Sequence, residues 1–174
     1  MNPLSVDAAH AVCDRYGPGR LPRAENHAIG AGYAGASAAV CAAFVYAIVA
    51  STVDSIGLVA APGANVAVAI LGLPMFAAGA FVVGVVGWHV LEPASPGQGI
   101  VAGLLGAVCT YGVFLVLFGV PVTTLEALSG ADPLRAAVFS WGVVYFAVLE
   151  TWWVALPVGT FSGFVYVTVV SRTA

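Results

Sequence analysis

The stretch Trp141–Val170, WGVVYFAVLETWWVALPVGTFSGFVYVTVV, is the last long apolar run of the chain. It holds Glu150, the carboxylate that lies deepest inside any strongly apolar run, and it carries more hydroxyl side chains than the other runs. No water-facing segment of thirty residues reads this way. A run this apolar needs a solvent that is itself apolar, and the bilayer core supplies one.

The rest of the chain agrees. Of 174 residues, 61% are hydrophobic and 7% are charged, and mean hydropathy is +1.02. A soluble domain carries about 25% charged residues, so this chain could not cover its surface with polar groups in water. An all-α integral membrane protein is expected. Net charge is −3 and all five cations are Arg. Without a basic stripe to neutralise phosphates, nucleic-acid binding is excluded. The absence of Lys beside plentiful Ala, Gly and Val fits a GC-rich prokaryotic genome.

Four apolar runs follow a polar tail. The tail, residues 1–27, carries Arg15, Arg20 and Arg23 among Asp7, Asp14 and Glu25. Ser5 can cap a short interfacial helix with Leu4, Ala8, Val12 and Tyr16 on one side, ended by Gly17-Pro18-Gly19. The tail is too long and too acidic for a signal peptide. His10 and Cys13 share a face of that helix, but two ligands do not make a metal site.

The first span is predicted over about 28–50, with Asn26 as cap and an early face, residues 30–37, made almost wholly of small residues. Such faces let helix backbones approach closely in lipid. The second, about 66–90, begins after Asn65, contains Pro74 and ends at Trp88-His89, both read as interfacial residues. The third, about 100–120, stops at Pro121, after which residues 122–130 read as an interfacial helix or turn. Asp132-Pro133 then pairs an N-cap with a proline at the first helical position, a strong helix start. The fourth span covers 134–170.

As one helix, 134–170 would be about 55 Å long at roughly 1.5 Å per residue, well beyond a hydrocarbon core of about 30 Å. A single long helix bent at Pro157 is expected, with a separate apolar segment at 134–149 as the alternative. With four spans, Arg15, Arg20, Arg23 and Arg172 share one side and Arg135 stands alone on the other. The positive-inside rule then puts both termini in the cytoplasm of a cell-membrane protein.

An internal repeat is also visible. Ala39-Val40-Cys41 with Val45 matches Ala107-Val108-Cys109 with Val113 at an offset of 68, and Leu73-Pro74 with Phe81-Val82 matches Leu156-Pro157 with Phe164-Val165 at an offset of 83. A repeated two-helix hairpin would start the membrane part of span four near Glu150.

The candidate polar site in the membrane is Glu150 with Thr151, Trp153 and Pro157. A carboxylate in hydrocarbon survives by facing a polar cavity, finding a partner or staying protonated. The Pro157 ring frees the carbonyl of Trp153 one turn away, and together these groups can hold a proton, a cation or a water. The competing reading is an interfacial Glu beside two interfacial Trp residues. Two GxxxG patterns, Gly99–Gly103 and Gly159–Gly163, carry little weight in a chain with 21 glycines.

Catalytic signatures fail. Thr160 stands where the GxSG of a membrane serine protease needs glycine, and no His lies in the last run to act as base. No acid–base pair, phosphate loop, metal set or cofactor site is implied. The expected protein is a non-enzymatic bundle of four transmembrane helices that packs with itself or with a membrane partner protein. The alternative is a small transporter or channel with Glu150 coupling to a proton or cation.

Overall fold

The computed structural model describes residues 22, 23, 26–55, 64–93, 95–130 and 132–173, with the side chains of 53–71 and 171–173 outside the description. The interfacial helix expected in the tail, with His10 and Cys13, therefore lies outside the described residues, as do the side chains of Asn65 and Arg172. Among the described residues 93% are helical and none are in strands, so the chain is all-α.

Four helices follow in order: α1 (His27–Ser55), α2 (Ala64–Leu91), α3 (Pro96–Leu128) and α4 (Pro133–Thr173). Local chemistry sets most of their ends. The Asn26 side chain accepts the Ala28 N–H at 3.0 Å, and the Asp132 side chain accepts the Leu134 N–H at 3.0 Å. Both expected caps thus satisfy an orphan donor. At α3 the Ser95 side chain accepts from the Gln98 N–H while the Gln98 side chain accepts from the Ser95 N–H, a reciprocal capping box that the sequence S-P-G-Q spells out. Gly130, at φ +84°, ends α3 in the left-handed conformation that a Cβ disfavours.

The third helix does not stop at Pro121. It runs on through that residue to Leu128, so the separate interfacial piece expected at 122–130 is the last two turns of α3. A proline removes one N–H and frees one carbonyl, here that of Leu117. Ending the helix there would orphan four carbonyls instead, so continuation is the cheaper course where water is scarce. Pro157 behaves alike, and α4 is a single helix of 41 residues, about 60 Å long. Residues 134–149 are part of it rather than a separate segment.

The helices run alternately up and down, and each packs on two neighbours around a square: α1 on α2, α2 on α3, α3 on α4, and α4 back on α1. The Tyr166 hydroxyl donates to the His27 carbonyl at 2.6 Å, so the start of α1 and the end of α4 lie on one side. All four helices are long and apolar enough to cross a membrane, which makes this a multi-pass membrane protein.

Large apolar side chains are exposed far more widely than in a soluble bundle. Buried positions include the small Ala28, Ala50, Ala80 and Ala136 beside Tyr46, Phe114 and Val154, whereas many large apolar side chains, among them Phe44, Ile48, Val90, Leu128, Phe139 and Phe161, are exposed. Lipid tails solvate large apolar side chains as well as a core does, so helix association rests on close van der Waals packing between small residues.

Within α1–α2, a methyl added at Gly35 would stand 2.6 Å from the Ala80 carbonyl oxygen, and one at Gly84 would stand 2.5 Å from that of Ala31. Within α3–α4, a methyl at Gly103 would run into the Gly159 carbonyl, and one at Gly163 into the Gly99 carbonyl. The two GxxxG patterns therefore face each other across one crossing. The small pairs correspond between hairpins: Ala31 and Gly35 to Gly99 and Gly103, Ala80 and Gly84 to Gly159 and Gly163. The first helices keep the offset of 68 read from the sequence. The second helices match at 79, so the Pro74–Pro157 match is one helical turn out of the structural register.

Candidate functional site

Each hairpin is tightly closed on itself, and the space is left between them. A cavity of about 1080 Å³ is lined by residues of all four helices. The α1 wall is a small-residue stripe that includes Ala31, Ala34, Ala38 and Ala42, and the opposite walls carry Gly106, Gly142, Ala147 and Ala155. The absence of bulk on these inward faces is what leaves the volume.

One end, on the side of the termini, is aromatic. The Trp88 ring lies 5.9 Å from His27 and 5.4 Å from Tyr166, which is in turn clipped to the His27 carbonyl. A second clip between α1 and α4 is made by Ser162, whose hydroxyl donates to the Ala34 carbonyl at 3.2 Å.

The other end is where the polar groups gather. Glu150 is the single charged residue among those lining the cavity. The hydroxyl of Tyr46, a buried residue of α1, donates to Glu150 Oε2 at 3.5 Å, a long hydrogen bond. Beside it, Tyr111 of α3 and Thr151 of α4 are joined hydroxyl to hydroxyl at 2.6 Å. Thr151 gives its own proton to the Ala147 carbonyl at 2.5 Å, so Tyr111 is the donor between them. Phe76 of α2 stacks on Phe114 at 4.1 Å and meets the Tyr111 edge at 5.8 Å, which closes the α2–α3 side at this level.

Among the described residues no guanidinium reaches Glu150. Arg135 is fifteen residues away on the same helix, about 22 Å. Arg23 sits at the end of the bundle where α1 begins. Among the described residues no three His, Cys, Asp or Glu side chains converge.

The four residues singled out in the sequence divide into two pairs. Glu150 and Thr151 line the central cavity. Trp153 and Pro157 lie instead on the outer face, where with Trp152, Leu156 and Phe161 they border a shallow groove of about 680 Å³. The Trp153 indole N–H donates to the Glu150 carbonyl at 2.7 Å, which lays the ring along the helix surface. The structure thus brings Thr151 to Glu150's site and leaves Trp153 and Pro157 outside it. Tyr46 and Tyr111 are the partners that the sequence reading did not identify. Their only local signal is a phenol deep in an otherwise apolar run.

The Tyr111–Thr151 bond sets an expected stability effect. Tyr111→Phe and Thr151→Val should each lower bundle stability by about 0.5–1.5 kcal/mol, and the double variant should lose little more than either. Denaturation of the purified protein in mixed micelles, run as a double-mutant cycle, measures the coupling. Strictly additive losses would show that the two hydroxyls do not pair.

Comparison with known protein families, curated proteins and solved structures finds no match for this chain.

Proposed function

We propose that this is a small membrane transporter or channel in which the cavity between the two hairpins holds the transported species and Glu150 is the coupling carboxylate. The observation that carries this reading is the cavity itself. It is shared by all four helices, walled by small apolar residues, and has one charge, placed beside two tyrosine hydroxyls. Intramembrane carboxylates that face a cavity are expensive, and they mark ion or proton pathways.

The reading as a structural or interaction subunit rested on small-residue faces offered to a second copy or a partner helix. Gly35, Gly84, Gly99, Gly103, Gly159 and Gly163 pack inside the monomer, which leaves the apolar second span as the face offered to a partner. A dimer trapped by crosslinking in membranes would favour that reading.

The cell membrane is the proposed location, with both termini in the cytoplasm. Support comes from Arg15, Arg20, Arg23 and Arg172 on the side of the termini, against Arg135 alone on the other.

Flux into liposomes containing the purified protein tests the proposal. Glu150→Gln keeps the shape and hydrogen-bonding capacity of the side chain but removes its charge. Proton- or cation-coupled flux should fall about tenfold or more, the scale of a coupling free energy of 1–3 kcal/mol. Unchanged flux in the Gln variant would remove Glu150 from the mechanism.

A further inference from the structure

We infer that the central cavity takes an amphiphilic organic cation, admitted sideways from the bilayer through the seam between α2 and α3, with Glu150 as its counter-charge. The inference rests on the reading of the cavity as a ligand site and adds the chemistry of the occupant and its route.

Charge comes first. Among the described residues Glu150, exposed in the bundle, is the one charged group lining a cavity whose other walls are apolar or hydroxylic, and the nearest Arg on its helix is about 22 Å away. A carboxylate in such surroundings attracts a cation far more strongly than it would in water and repels an anion equally. The rings of Tyr46, Phe76, Tyr111 and Phe146 also line the cavity, and π-faces favour an organic cation of low hydration. Inorganic divalent ions are poorly served, because Ca²⁺ asks for six to eight oxygen ligands and Mg²⁺ for an octahedron of them. Here one carboxylate accepts from the Tyr46 hydroxyl and stands beside a Tyr111–Thr151 hydroxyl pair already bonded to each other.

Shape comes second. The charge sits toward one end, and the alanine and glycine walls run from it toward Trp88 and Tyr166. An occupant with an apolar body and a single positive charge matches this layout. A fully hydrophilic cation would leave the walls wetted without any polar partner.

The route comes third. Val82, Val86 and Val90 of α2 and Leu105 and Cys109 of α3 line the cavity and are exposed, as are Phe139, Phe146 and Glu150 of α4. The α2 and α3 stripes are apolar throughout, whereas α1 and α4 are joined by hydrogen bonds. The two apolar stripes flank one seam. At the end beyond it, Phe76, Tyr111 and Phe114 close α2 onto α3, and on the opposite side α1 and α4 are clipped at Tyr46–Glu150, Ser162–Ala34 and Tyr166–His27. In a chain surrounded by lipid, the seam opens on acyl chains and not on water.

Tetraphenylphosphonium and tetraphenylborate share one shape and carry opposite charges, so they separate charge from size. Binding of each to the full-length protein in lipid nanodiscs, measured by equilibrium dialysis against empty discs, is the test. The cation should bind at least about tenfold more tightly than the anion, as expected of a desolvated charge pair. Glu150→Gln should abolish that preference and Glu150→Asp should retain most of it. In a variant carrying Cys13→Ser and Cys41→Ser, the cation should slow labelling of Cys109 by a lipid-soluble maleimide. That second readout keeps Glu150 in place and does not depend on the Gln variant folding. Equal binding of both ions, unaffected by Glu150→Gln, would overturn the cationic occupant and leave the cavity as a ligand site. Binding of neither ion, with Cys109 labelling unchanged, would overturn the ligand site as well. Cation-selective binding with Cys109 labelling unchanged would overturn the lateral route.

Discussion

Gly103→Leu is expected to break the second hairpin. The Gly103 position has no room for a Cβ, because the first atom added meets the Gly159 backbone carbonyl and then the Thr160 Cα at 3.1 Å. A flexible side-chain neighbour could swing aside, but backbone on a facing helix cannot. Relief requires α3 and α4 to separate along their length, which also opens the matching contact at Gly99–Gly163. Overpacking of a close crossing costs about 3 kcal/mol or more when the obstacle is main chain. Size-exclusion profile and thermal melting of the purified protein in detergent would report the loss.

The control lies one helical stretch away. Gly112 has no atom within 4 Å of where its Cβ would stand, so Gly112→Ala should leave the fold intact and raise its stability by up to about 1 kcal/mol through helix propensity. Equal damage at 103 and 112 would show that the crossing is not what holds the hairpin together.

Glu150→Leu is expected to make the bundle more stable while removing its proposed function. From the Trp88–Tyr166 cluster at one end, Glu150 is sixteen residues along α4 from Tyr166, or about 24 Å. A hydrocarbon core of about 30 Å that starts at that cluster contains Glu150. An acidic side chain deep in a membrane helix is disfavoured by about 2.5–3.5 kcal/mol on insertion scales. The long hydrogen bond from Tyr46 offsets only part of this. Leucine should therefore gain about 2 kcal/mol, read as a higher denaturant midpoint in micelles, together with loss of coupled flux. A change near zero would put Glu150 at the headgroups, as the interfacial reading of the Glu150–Trp153 cluster has it. The gain is the signature of a residue kept for what it does rather than for what it holds together.

Several elements were legible from residues alone. Asn26 and Asp132 cap helices as their side chains and the following residues require, and the small face at 30–37 meets a partner helix, with Gly32 and Gly35 against α2. The end placed at Pro121 was wrong because a proline rule learned in water overstates the break where no water can take up the freed groups. The capping box of Ser95 and Gln98 is spelled in the local sequence S-P-G-Q. The two GxxxG patterns looked like noise, since in a glycine-rich chain only the facing helix tells a working glycine from an idle one. The partners of Glu150 and Thr151 lie 104 and 40 residues away in the chain, on other helices, and no local pattern encodes that distance.

Composition and hydropathy settle the solvent of this chain, the number of its apolar helices and their alternating threading, because each is a property of single residues or short runs summed against lipid and water. The cavity, the turning inward of the glycines, and the separation of Trp153 and Pro157 from Glu150 and Thr151 are settled by how two hairpins dock. Docking depends on the register and rotation of one helix against another. A shift of one residue turns a helix face by about 100°, enough to move a carboxylate from lipid to cavity without changing a letter of the sequence.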